Sequence, residues 1–288
     1  MIAAARAALC LPGAAIAATP PATGSWCETP APGGRSVDGA GMAATRAAGR
    51  ARTIVILIHG YDPAGTPANV SDMWLSMRAA IRAADRTAAV CIARWDSRRG
   101  MDDANGGLSR LLDAVARGAT GGPPDGQRVV TFVGHSAGGN RAKAELLRLH
   151  DRAAWLAGTR MRLLTLGTPH RGVPLADQEV AVGRLADMFG ARGALERAGL
   201  GSAGLREMRV DAPALRALNA RFVRAVAPSD RWAIASVQDQ VVPTWSACPA
   251  WMRCQRLDRL DHVGLLDPFA QPGFRIRFAA FIRGGTLS

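Results

Sequence analysis

The sequence predicts an α/β domain: a mostly parallel central sheet with flanking helices and a helical insertion that forms a cap or lid. Three observations point there. Short apolar runs recur along the chain, each closed by glycine or polar residues, as strands buried on both faces require. Between them lie stretches with apolar residues at helical spacing, and this alternation is the mark of βαβ units. Finally, the run 129–133 passes through Gly134-His135-Ser136-Ala137-Gly138 straight into an amphipathic segment, a strand, sharp turn and helix in immediate succession. With 288 residues, 48% of them hydrophobic, the chain can bury one sizeable core, and a second full domain would be cramped.

Residues 1–18 carry one arginine, Arg6, then an apolar run too short to span a bilayer, closing on Ala15-Ile16-Ala17. This is the pattern of a secretory signal peptide cleaved near Ala17 or Ala18, with an uncleaved anchor as the alternative. The expectation is a secreted or periplasmic protein. Residues 19–52, dense in Pro, Gly, Ala and Thr, read as an irregular N-terminal arm. The domain proper is expected over 53–288, opening with the buried strand Thr53-Ile54-Val55-Ile56-Leu57-Ile58 and the turn His59-Gly60-Tyr61-Asp62. A helix follows over 71–84 through Trp74, Met77 and Ile81, then a strand over 88–95 and a helix around 108–117. The turn at Ser136 comes next, with its helix through 141–149, and then the strand Met161-Arg162-Leu163-Leu164-Thr165-Leu166.

No strand is legible over 173–228. Val182, Leu185, Met188 and Phe189 fit one helical face and Leu215, Leu218, Phe222 and Val226 another, with Gly199, Gly201 and Gly204 marking a break. This is the expected cap or lid over the strand ends, although core packing accounts for the same residues. The sheet resumes at Trp232-Ala233-Ile234-Ala235-Ser236-Val237, a last strand is expected over 254–260, and a helix over 274–282 closes the chain.

The formal charge is +13, from 36 Lys plus Arg against 23 Asp plus Glu, yet Lys143 is the only lysine and the arginines are scattered. A nucleic-acid binder concentrates its basic residues and interleaves aromatics, so that class is excluded. Loss of the signal segment removes Cys10 and leaves Cys27, Cys91, Cys248 and Cys254, an even number in an oxidising compartment. Of three possible pairings, the short spacing favours Cys248 with Cys254, worth about 2 kcal/mol on a chain-entropy estimate. That leaves Cys27 to tie the arm to Cys91. Without Cys-x-x-Cys or paired-histidine spacing, a metal site has no support.

Gly134-His135-Ser136-Ala137-Gly138 fits G-x-S-x-G, in which small neighbours let a serine stand clear of a sharp strand-to-helix turn. A serine hydroxyl becomes a nucleophile only when a base takes its proton, and the base needs an orienting carboxylate. Of five histidines, His59, His135, His150 and His170 precede any suitable acid or sit within the turn or its helix, whereas His262 follows in the loop Leu260-Asp261-His262-Val263-Gly264-Leu265. Asp239 follows the strand ending at Val237 and so lies on the same sheet edge as Ser136. Asp230 precedes that strand, Asp258 and Asp261 are too close to His262 in sequence, and Asp211 is a weaker rival. The oxyanion of the tetrahedral intermediate needs two amide donors, for which Ala137 and Tyr61 are the candidates.

Ile58-His59-Gly60-Tyr61, Gly134-His135-Ser136-Ala137-Gly138-Gly139, Leu166-Gly167-Thr168-Pro169-His170-Arg171-Gly172, Asp239-Gln240-Val241-Val242-Pro243 and Asp261-His262-Val263-Gly264-Leu265 occur in the order seen in α/β-hydrolases. Over roughly 53–283 the chain resembles the secreted bacterial triacylglycerol lipases and esterases of that superfamily. The resemblance implies the α/β-hydrolase fold and a cofactor-free lipase or carboxylesterase acting through an acyl-enzyme on Ser136. It also implies Asp239 and His262 as partners, an ester or lipid as substrate, and a cap that opens at lipid interfaces. An acyltransferase or thioesterase using the same triad, or a non-catalytic lipid-binding hydrolase fold, are the alternatives. The loop 62–69 departs from the glycine and polar pattern of the best-known lipase subfamilies, and no acidic cluster carries over the structural calcium of some relatives.

Overall fold

Thr53-Ile54-Val55-Ile56-Leu57-Ile58 has no polar face, so it can be a strand only where both faces are covered. In the computed structural model this run is a strand buried at every position. The structure describes residues 25–30, 36–39, 48–62, 64–101, 107–118, 128–151, 158–174 and 202–285. Within them the strands are β1 (Trp26–Pro30), β2 (Ser36–Gly39), β3 (Thr53–Ile58), β4 (Ala89–Ala93), β5 (Arg128–His135), β6 (Thr159–Leu166), β7 (Arg231–Ser236) and β8 (Arg253–Leu257). They form one sheet in the order β2-β1-β4-β3-β5-β6-β7-β8. From β4 to β8 every neighbour is parallel, while β1 and β2 run antiparallel at one edge.

The helices are α1 (Leu75–Ala84), α2 (Gly107–Gly118), α3 (Ala137–His150), α4 (Ala203–Glu207), α5 (Pro213–Ala225), α6 (Thr244–Ala247) and α7 (Pro272–Ile282). Strand alternation divides β3 between two cores. Ile54, Ile56 and Ile58 face α2, α3 and α5 through Leu108, Leu112, Leu146 and Phe222. Val55 and Leu57 face α1 and α7 through Met77, Ile81, Phe274, Phe278 and Phe281. Each buried aromatic or aliphatic side chain contributes about 1.5–3 kcal/mol. These two cores cover the sheet and leave its carboxyl edge as the place where loops from parallel strands converge.

Four expectations are revised. The arm over 19–52 contains β1 and β2. Their short mixed sequences carry no periodicity, and β1 owes its place to pairing with β4, where Cys27 stands opposite Cys91 and is bonded to it. Buried Glu28 adds ion pairs with Arg78 and Arg82. The last strand starts one residue early and ends at Leu257, before Arg259 turns through φ 61°. Gly204 is no break: it lies within α4, where a side chain would strike the Ser97 carbonyl. Finally, α5 is not a lid element on its apolar side, because Phe222 joins the main core and the helix packs on α3. The signal-peptide segment, the helix through Val182 to Phe189, and Gly199 and Gly201 lie outside the described residues. The second expected disulfide, Cys248 with Cys254, is present.

Candidate active site

Four parallel strands, β3, β5, β7 and β8, deliver the candidate residues from their carboxyl ends, and β6 stands between β5 and β7. At the end of β5 the chain reverses into α3 at Ser136, with φ 54° and ψ −132°. A non-glycine residue held there costs of the order of 1–3 kcal/mol, a strain kept up by what surrounds it. Ser136 N–H donates to the Leu166 carbonyl at 2.8 Å, and Gly139 N–H to the Ser136 carbonyl at 3.1 Å. The first turn of α3 approaches β3 so closely that a side chain at Gly138 would overlap the Ile58 and His59 carbonyls. The Ala137 amide is thereby held at the helix N-terminus beside the end of β3.

From β3 comes His59-Gly60-Tyr61. A Cβ built on Gly60 would lie 2.7 Å from Ser136 Cβ and 3.3 Å from its Oγ, so this backbone passes directly against the serine. Tyr61 is buried in a small apolar cluster with Ala137, Leu205 and Met208. Its hydroxyl hydrogen-bonds Ser202 Oγ at 3.2 Å, and Ser202 caps α4 by accepting from Leu205 N–H. The described part of 173–228 thus touches the site through α4. Asp62 and Thr66 are fixed from the segment after β4: Ser97 Oγ accepts from Asp62 N–H at 2.8 Å and Thr66 Oγ1 donates to the Trp95 carbonyl at 2.7 Å. Beside the start of α3 lies a small pocket lined by Trp95, Met101, Ala137, Asn140, Glu207 and Met208 among others.

Asp239 and His262 meet across the gap between the β7 and β8 loops. His262 Nδ1–H donates to Asp239 Oδ2 at 2.7 Å, with both side chains at most 1% exposed. Asp239 Oδ1 accepts the amides of Val241 and Val242 at 2.8 and 2.9 Å. Burial pushes the Asp239 carboxyl up, but the hydrogen bond and charge of His262 and those two amides outweigh it and hold the group below its ordinary value. It is therefore a carboxylate at neutral pH. On the other side of the ring, His262 Nε2 is buried and has no hydrogen-bond partner among the described residues. Room for this pair comes from Gly167, whose φ is 55° and whose absent Cβ would fall 2.9 Å from Asp239 Oδ2 and 3.0 Å from His262 Nδ1. Since Ser136 N–H is bonded to Leu166, the Gly167 turn joins serine and histidine through one residue.

The rival groups are occupied elsewhere. His59 Nδ1–H donates to the Gly60 carbonyl at 2.8 Å, and burial lowers its pKa to about 4. His170 is buried between Thr165 Oγ1 and Lys143 Nζ, and burial followed by the lysine charge lowers it well below its usual value. His150 is exposed at the end of α3. Asp230 pairs with Arg160 and Arg162 at the opposite end of β7, and Asp211 lies on the surface near Arg171. His135 is packed under the site with Nε2–H donating to the His262 carbonyl at 3.0 Å. The sequence puts His135 within the turn and gives it no part, and it gives Gly167 no role beyond its motif. Neither contact leaves a signal in spacing, because each joins residues brought together only by the sheet.

No protein-family model and no curated protein matches the chain. Among solved structures it is similar to the Bacillus licheniformis lipase BlEst2 in its mature form, with a TM-score of 0.54 at 13% identity over 79% of this chain and 92% of that one. It is also similar to carboxyl esterase 2 of the mycorrhizal fungus Tuber melanosporum, with a TM-score of 0.50 at 12% identity over 81% of this chain and 79% of that one. The chain has the α/β-hydrolase fold.

Proposed function

We propose that this chain is a serine ester hydrolase, a lipase or carboxylesterase that cleaves acyl esters through an acyl-enzyme on Ser136. The observation that carries the reading is the buried 2.7 Å hydrogen bond between His262 Nδ1 and Asp239 Oδ2, on the sheet edge that also holds Ser136 at φ 54°. His262 Nε2, without a hydrogen-bond partner among the described residues, is the nitrogen left to take the serine proton. As Ser136 Oγ bonds to the ester carbonyl carbon, its proton passes to Nε2, and the Asp239 carboxylate stabilises the imidazolium. The oxyanion is received by the amides of Ala137 and Tyr61, whose aim depends on the helix start and the Gly60 turn. Collapse of the intermediate expels the alcohol, which takes the proton from Nε2. Water then repeats the sequence on the acyl-enzyme, losing its proton to His262 and releasing the acid from Ser136.

The part of 173–228 that precedes α5 is read as a cap that selects substrate, supported by the packing of Leu205 and Met208 on Tyr61 and Ala137. Export is read from residues 1–18 and is supported by the two disulfides, which persist in oxidising compartments. No described helix is long and apolar enough to cross a membrane. The decisive experiment is hydrolysis of p-nitrophenyl esters by purified protein and its Ser136→Ala variant, with a fluorophosphonate as active-site label. The reading expects wild-type turnover, labelling at Ser136, and loss of both in the variant; undiminished turnover by Ser136→Ala would sink it.

A further inference from the structure

We infer that His135 is a positioning residue for His262, acting through the backbone of the loop that carries the base. The inference rests on the proposed roles of Ser136, His262 and Asp239. His135 immediately precedes Ser136, is 1% exposed, and reaches across 127 residues of sequence to the His262 carbonyl at 3.0 Å. The two rings lie 4.6 Å apart, centroid to centroid. A carbonyl oxygen only accepts, so the proton of His135 is on Nε2. Its Nδ1 is left as a buried lone pair with no partner among the described residues. A residue chosen for packing alone would not bury an unsatisfied nitrogen.

The consequence is mechanical. Nucleophile and base come from different strands, and proton transfer between them needs sub-ångström alignment. Because His135 and Ser136 are consecutive, the hydrogen bond ties the base's backbone to the nucleophile's own turn. The loop is held from other directions as well: Ser236 Oγ donates to the Leu260 carbonyl, Gly264 N–H to Asp261 Oδ1 at 2.6 Å, and Asp239 holds the ring. The His135 contact is the one among these that refers the base's backbone directly to the residue beside the serine. The titratable groups facing His135 are His262, Asp239 and His59, and burial, then the His262 charge, lowers its own pKa to about 3. It therefore stays a neutral donor while His262 gains and loses a proton beside it.

The test uses the full-length protein with His135→Phe and His135→Met, which lose the donor, and His135→Gln, which keeps an N–H at similar reach. Hydrolysis of a soluble p-nitrophenyl ester is measured with the folded fraction fixed by thermal melting. Expected are about 10- to 100-fold lower kcat in the Phe and Met variants with KM within about twofold, and recovery to within about fivefold of wild type in the Gln variant. Fluorophosphonate labelling of Ser136 slows in parallel, because it draws on the same base. Full kcat in folded Phe or Met protein overturns the inference and leaves the proposed triad standing, as does a Gln variant no better than the donorless ones. Activity retained by Ser136→Ala overturns the triad and the inference with it. Should the Phe variant not fold, Met against Gln decides by the same criterion.

Discussion

Asp239 uses both carboxylate oxygens in the buried site: Oδ2 receives His262 Nδ1 at 2.7 Å, and Oδ1 receives the amides of Val241 and Val242 at 2.8 and 2.9 Å. The two amides fix the carboxylate plane, and the carboxylate in turn fixes which nitrogen of His262 carries the proton. Asp239→Asn keeps the size of the group but presents an amide whose orientation and neutral charge no longer enforce that tautomer. A loss in kcat of about 10⁴-fold with little change in KM is expected. The circular dichroism spectrum should be unchanged, and a variant with near wild-type kcat would remove Asp239 from the machinery.

Gly167 stands where β6 ends, with φ 55° and no room for a side chain toward Asp239 and His262. Gly167→Ala places a methyl about 3 Å from both polar groups and strains the backbone, for a destabilisation of about 1–3 kcal/mol. Activity should fall by about 10²-fold or more in protein that still melts cooperatively, since the pair must part to admit the methyl. Denaturant unfolding and ester turnover measured on one preparation check both halves.

Three buried histidines make the fold acid-sensitive. His59 and His135 have their pKa values lowered to about 4 and about 3, and His170 well below its ordinary value, all by burial first. These lie below the unfolded value of about 6.5, so above that pH neither state binds the proton and stability is complete. Below it only the unfolded chain takes the proton, and stability falls as pH drops toward the folded values. Each histidine contributes about 1.4 kcal/mol per pH unit to that decline. Melting temperatures measured from about pH 8 down to about pH 5 should be level and then drop below about pH 6.5. A level profile throughout would count against neutral burial.

Cys27–Cys91 and Cys248–Cys254 differ in the span they close, at sequence separations of 64 and 6. On the chain-entropy relation these correspond to about 4 and about 2 kcal/mol. Replacing Cys27 and Cys91 together by alanine should therefore lower the denaturation midpoint about twice as far as replacing Cys248 and Cys254. It should also expose the β1 amides to hydrogen exchange before those of β3. Equal midpoints for the two variants would reject the ranking.

Much of this architecture was legible because its signals are local. The parallel strands from β3 to β7 announce themselves as largely apolar runs, since a strand covered on both faces buries nearly every side chain and its few polar ones need buried partners. Ser136, Asp239 and His262 could be singled out because a turn motif, a strand end and chain order constrain them. β1 and β2 escaped, because an edge strand owes its place to a partner and a disulfide rather than to its own pattern.

The sequence by itself determined the fold class, the order along the chain of the chemistry-bearing turns and the candidate nucleophile, acid and base, all of which follow from residue type, periodicity and motif order along the chain. Only the tertiary structure decided that His135 bonds the His262 backbone, that Gly167 makes the space in which Asp239 and His262 meet, and that α5 belongs to the core. The physical reason is that each of these depends on atoms distant in sequence arriving within about 3 Å, a distance set by how parallel strands stack side by side and recorded in no local pattern.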